Sequence, residues 1–313
     1  MAEIKKEMGT ILKELEAEGL RADAGKKLIS AAQDPAALFE ENPMAMMRTV
    51  RFAAESGFDI HIKTYDAILE KAALLKDADV DRTREEFEKI LVAEFAGKGL
   101  KMLAGTELMP CVIGGLAEKM TKRAMKQFAV LAENIDKTKR VRDRRVVLFY
   151  LCFEEKAALG AVKFLGFDAR TAGLVADAMR LLEPMCFLAN EYELKRFVFR
   201  CGEEKYRYLD SLSKAQRIVY DMPDVKILGR HYMMELIKSK GDPIFIEDLA
   251  VDADDIVCRN IAEGDKADQI LLELLDMVHK DPKLNTREHL LRQAESYSKN
   301  VFRMPFQKMR WLK

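Results

Sequence analysis

Two arginines three residues apart, Arg48 and Arg51, stand in an otherwise soft, apolar stretch, EENPMAMMRTVRF at residues 40–52. At that spacing they share one helix face, and guanidinium groups so placed clamp carboxylates or phosphates. Glu40, Glu41 and Glu55 lie on neighbouring turns, so internal pairing and phosphate contact are both open to them. Met44, Met46 and Met47 read as core filler. Two pairs of aspartates, Asp77 with Asp79 and Asp252 with Asp254, have a spacing that holds magnesium when it falls on a strand. Neither follows a strand pattern or a glycine turn, so both read as solvated acidic loops. His61, His231, His279 and His289 form no HxxxH, HExxH or His–Asp pair. Cys111, Cys152, Cys186, Cys201 and Cys258 contain no CxxC and read as buried free thiols of a reducing, cytoplasmic compartment. There is no GxxxxGK[ST], GxSxG or GxGxxG, and Gly114-Gly115 reads as a helix-entry turn. No catalytic residue, metal or cofactor is expected.

Charge is more informative in its distribution than in its sum. The 313 residues carry 52 basic and 52 acidic side chains, so bulk charge selects no partner. Between Lys119 and Arg145, ten basic residues face three acidic ones: Lys122, Arg123, Lys126, Lys139, Arg140, Arg142, Arg144 and Arg145 are the candidates for phosphate contact. After Glu295 the chain adds Lys299, Arg303, Lys308, Arg310 and Lys313 with no acid, and interleaves aromatics ending at Trp311. Cations beside stackable rings suit single-stranded RNA. Residues 242–281 hold twelve acids and three basic residues, a stretch that a polyanion must avoid.

The elements that must position these side chains are helices nearly throughout. Gly and Pro total 24 residues, and apolar residues recur at i, i+3 and i+4 along most of the chain. A first helix over residues 3–19 stops at Gly19; Asp34-Pro35 and Asn42-Pro43 each read as an N-cap with a first-turn proline. Further helices are expected over 116–133, 144–158, 170–183, 191–200 and 203–221, with a last one at ADQILLELLDMVHK. IFIEDLAV, after Asp242-Pro243, is the one short extended segment expected. The N-terminus is charged and amphipathic, unlike a signal peptide, and no stretch reaches 18 uninterrupted apolar residues, so no membrane contact is expected.

The stretch KLISAAQDPAALFEENPMAMMRTVRFAAESGFDI resembles the neck of bacterial tRNA nucleotidyltransferases, the CCA-adding enzymes and their poly(A) polymerase relatives. DVDRTREEFEKILVA is similar to a further helix of that family, and DLAVDADDIV with ILLELLDMVHKDPKLNTREHLL resembles its tail. The resemblance implies an all-α, elongated, multi-helix architecture. It would comprise an N-terminal helix at 1–25 in place of the family's catalytic head, a neck at 26–110, a body at 111–222 and a tail at 223–313. The family reads the incoming base with an Asp and an Arg of an EDxxR motif; Asn42 and Ala45 stand at the matching positions, so that readout is expected to be lost. Arg48 and Arg51 match family arginines. The chain is thus expected to act as a noncatalytic binder of tRNA or a tRNA-like RNA end, with Arg48 and Arg51 joining the basic segments above. Two other readings stand beside it: a subunit of a split nucleotidyltransferase whose head is a separate chain, and a scaffold for another protein.

Overall fold

The computed structural model describes residues 2–115 and 120–300, with side chains from residue 9 to 299. In chain order the elements are α1 (Ala2–Ala17), β1 (Leu20–Asp23), β2 (Leu28–Ala31), α2 (Pro35–Glu41), α3 (Met44–Ser56), β3 (Asp59–Ile60), α4 (Ile62–Lys71), α5 (Val80–Val92), α6 (Ala96–Gly105) and α7 (Met109–Ile113). Then come α8 (Lys122–Asn134), α9 (Arg142–Tyr150), α10 (Glu155–Phe164), α11 (Ala169–Cys186), α12 (Glu191–Cys201), α13 (Glu203–Tyr220), α14 (Val225–Lys240), α15 (Ala253–Cys258), α16 (Asp265–Lys280) and α17 (Arg287–Asn300). The class is all-α.

The extended structure differs from expectation in place and number. β1 and β2 form an antiparallel hairpin, and β3 joins β2 in parallel with Ile29 opposite Ile60. Asp23 makes the turn, accepting a hydrogen bond from the Lys26 N–H at 3.0 Å, and Lys27 takes a left-handed φ of 51°. The strands span only four, four and two residues, too short for a period-2 pattern to stand out. IFIEDLAV is not a strand. The Asp248 carboxylate accepts from the N–H groups of Ile244 and Phe245 at 2.9 and 2.8 Å, which removes the donors a ladder would need, and Ile246–Asp248 forms a 3-10 turn.

The chain forms two compact units, Met1–Glu183 with Ser211–Pro223, and Pro184–Asp210 with Asp224–Lys313. In the first, α3 is the central element: Met46, Met47, Val50, Phe52 and Ala53 are fully buried, and α5, α6 and α1 pack against it. Asp34 caps α2 through the Ala37 N–H at 3.0 Å, with Pro35 in the first turn. Asn42 does not cap α3. It closes α2 instead, through its backbone N–H to Leu38, leaving its side chain to reach elsewhere. α3 ends at Gly57, whose φ of 73° only glycine takes freely and whose absent Cβ would lie 2.8 Å from the Phe95 ring. Gly114, with φ 58°, closes α7; it is a helix exit and not an entry. The expected helix at 144–158 is two, α9 and α10, because Cys152 and Phe153 in the break are themselves buried and continue the apolar pattern. In the second unit the core is built by α15, α16 and α17 around Ile256, Leu274, Leu275 and Leu290. Cys258 is exposed, unlike the buried thiol expected, because it ends α15 on the side away from Ile256.

Candidate nucleic-acid interface

The two arginines of α3 lie within a cluster of four glutamates. Arg51 is 7 % exposed, and pairs with Glu55 at 3.0 Å, Glu14 of α1 at 3.1 Å and Glu86 of α5 at 2.6 Å. Arg48 pairs with Glu18 and stands 3.9 Å from Glu86. Lys89 adds a 3.0 Å contact to Glu86. Burial works against the charge of Arg51, but Glu55, Glu86 and Glu14 outweigh it and hold the guanidinium protonated more firmly than usual. Burial raises Glu55 above the ordinary carboxylate value, with Arg51 only partly offsetting it. Four carboxylates against three cations leave no positive field for a phosphate, so Arg48 and Arg51 are removed from the RNA-facing set. Of the partners foreseen, Glu55 is one; Glu40 pairs instead with Lys71. Glu86 was missed, though it left a signal, a carboxylate on the apolar stripe of Thr83, Phe87, Ile90 and Leu91.

The degenerate base-reading positions are also committed to the fold. The Asn42 amide donates to Glu18 at 3.1 Å, and Ala45, in the first turn of α3, is fully buried. The Ala45 methyl offers no hydrogen bond.

The basic segment divides into spent and available cations. Arg145 is 1 % exposed, and its guanidinium donates to the carbonyls of Leu91, Ala93 and Thr138 at 2.8–3.0 Å. It is a structural cross-link, and the expectation that it meets phosphate is corrected by its burial. Arg142 is taken by Glu88 at 2.6 Å, Asp143 and Thr171, and hydrogen bonding to Glu88 raises its proton affinity further. Arg144 is half-buried and donates to Ser211 at 3.2 Å. By contrast Lys122, Arg123 and Lys126 at the start of α8, and Lys139 with Arg140 beyond its end, are exposed, and none makes an ion pair with a described residue. α8 separates the two groups by about 20 Å, from 13 residues at 1.5 Å each. Lys119, Arg303, Lys308, Arg310 and Trp311 lie outside the described residues.

One aspartate of each pair is a helix cap. Asp79 accepts from the Arg82 N–H at 2.9 Å, and Asp252 exchanges hydrogen bonds with Asp255 at the start of α15. His279 is buried against the Ile244 carbonyl at 3.0 Å, and burial pushes its imidazole below the usual histidine range. Among the described residues no group of three or more His, Cys, Asp or Glu side chains is arranged to hold a metal, and no helix is long and apolar enough to cross a membrane.

Comparison with known proteins bears on this interface. Residues 57–120 match the family described as the probable RNA and SrmB-binding site of polymerase A. A CCA-adding enzyme of Geobacillus sp. (strain WCH70) is 42% identical over 82 residues, 26% of this chain and 20% of that protein. The CCA-adding enzyme of Bacillus pumilus (strain SAFR-032) is 26% identical over 279 residues, 84% of this chain and 60% of its own length. The chain therefore spans less than two thirds of these relatives. Among solved structures, the Bacillus stearothermophilus CCA-adding enzyme in complex with CTP superposes with a TM-score of 0.68 at 20% identity, over 88% of this chain and 67% of that one.

Proposed function

Because the chain belongs to the tRNA nucleotidyltransferase and poly(A) polymerase family, we propose that it is a noncatalytic RNA-binding protein that holds tRNA or a tRNA-like RNA end. Binding uses phosphate and shape contacts and not base-edge selection. The observation that carries this reading is the set of five exposed cations, Lys122, Arg123, Lys126, Lys139 and Arg140, that have no ion-pair partner among the described residues. Arg51 and Arg142 are paired inside the fold, whereas these five are available to an external polyanion. Asn42 and Ala45, spent internally, support positioning without nucleotide selection. Arg303, Lys308, Arg310 and Trp311, which lie outside the described residues, are kept as candidate contacts in this proposal, as is the division into neck (26–110), body (111–222) and tail (223–313). A cytoplasmic setting fits five free thiols.

The test is fluorescence anisotropy with intact and end-trimmed tRNA across a salt series. Five phosphate contacts give a log–log salt slope of about −4.5, at roughly 0.9 per contact. Replacing Lys122, Arg123 and Lys126 by glutamate should bring the slope to about −2 or shallower and weaken binding to different RNAs alike. Wild-type protein that binds no RNA at low salt would overturn the reading and leave a protein scaffold.

A further inference from the structure

The first unit carries an open cavity of about 560 Å³ between the start of α8 and the body of α10. Its volume falls within the roughly 300–1,000 Å³ of small-ligand sites. Ala157, Gly160 and Phe164 of α10 line it; spaced by three and four residues, they share one helix face. Thr121 and Ala124 of α8 and Phe153 complete the apolar part, and Lys156 is the cation among the lining residues. Among the described lining residues Glu154 is the one carboxylate.

Three features set this cavity apart from a packing defect. Gly160 sits inside a helix, where glycine is less stable than alanine. Neither a positive φ nor a close neighbour requires it, since a Cβ at that position would meet nothing within 4 Å. The helix gives up stability and gains only open volume. Phe164, whose ring lies against Gly114, is 49 % exposed. Finally, Lys122, Arg123 and Lys126 stand at the positive end of the α8 dipole with no acid in the first turn, an arrangement that works against the helix. Lys156 is likewise exposed and makes no ion pair with a described residue.

An apolar volume with an exposed ring and Lys156 in its lining, on the same unit as the cations at the start of α8, matches one ligand class, a flat base carried on a polyanionic backbone. We propose that the α8–α10 cavity receives an unpaired nucleobase of the bound RNA, stacked on Phe164, while Lys122, Arg123, Lys126 and Lys156 hold the flanking phosphates. This rests on the RNA-binding reading above and assigns within it a site for single-stranded bases.

The experiment uses the full chain and three fluorescein-labelled RNAs: a blunt hairpin, the hairpin with a four-nucleotide single-stranded 3′ extension, and the same extension made abasic. Wild-type protein should prefer the base-bearing extension over the abasic one by roughly tenfold. Gly160→Leu, which fills the cavity, and Phe164→Ala, which removes the ring, should each abolish that preference. Both should leave blunt-hairpin affinity and the salt slope unchanged, because every cation is retained. Circular dichroism should show Gly160→Leu as helical as wild type and at least as heat-stable. A preference that survives in both variants, or wild-type binding equal for base-bearing and abasic RNA, would overturn the cavity assignment alone. Wild-type protein that binds none of the three would overturn the RNA reading and the assignment together.

Discussion

Arg145 shows how a residue's surroundings decide its meaning. Its guanidinium is enclosed with no carboxylate in contact, satisfied by three carbonyls, and burial lowers its proton affinity. Arg145→Met leaves those carbonyls without donors and should cost about 3 kcal/mol in urea unfolding. Arg145→Lys should recover little, since one ammonium cannot reproduce the planar fork. A loss well under 1 kcal/mol in Arg145→Met would show that the carbonyls find water. Glu55 makes a pH-dependent prediction. Burial raises its folded-state value above the ordinary 4.5. The stability it contributes is therefore complete below about pH 4.5 and lost as pH rises through the raised value. At pH 7 the ionised carboxylate opposes folding, so Glu55→Gln should gain stability relative to wild type as pH climbs through that window. Denaturation of both proteins from pH 4 to 7 checks this; a difference that stays flat or falls would contradict it.

At the scale of elements, local signals worked where the chain interacts with itself a few residues away. Asp34-Pro35 starts α2, and Gly57 ends α3 in the left-handed region before β3. Gly57→Ala should lower stability by roughly 1–2 kcal/mol, from left-handed backbone strain plus contact with Phe95, measured as a lower thermal midpoint. Phe95→Ala in the same background should recover the steric part of the loss; an additive pair of losses would exclude the ring as its source. The hairpin β1–β2 and the break between α9 and α10 escaped local reading. The strands are too short to alternate visibly, and the break residues Cys152 and Phe153 are apolar like the helices they separate.

For the whole molecule, the net charge is zero, so under the proposed function RNA affinity should depend on a local surface and fall steeply with salt. Nucleotide transfer would need carboxylates arranged around metal ions beside a phosphate cradle. Asp79 and Asp252 are instead occupied as caps. Incubated alone with end-trimmed tRNA, magnesium and labelled CTP or ATP, the chain should incorporate no label. Incorporation above a heat-killed control would contradict the noncatalytic reading and favour a transferase.

The sequence by itself determined the helical class, most helix positions, the cap at Asp34, and the likeness in the neck. These follow from periodicity and from contacts between near neighbours, which composition and spacing record directly. Only the tertiary structure decided which cations were free. Arg51 meets Glu14 and Arg48 meets Glu18 across 37 and 30 residues, and Arg145 reaches Leu91 across 54. Such partners are chosen when helices distant in the chain pack together, and a charged residue looks the same in sequence whether that packing buries or spares it. Lys122, Arg123 and Lys126 were spared because their turn of α8 faces outward. The cavity beside them exists because Gly160 and Phe164 of another helix turn toward that same surface.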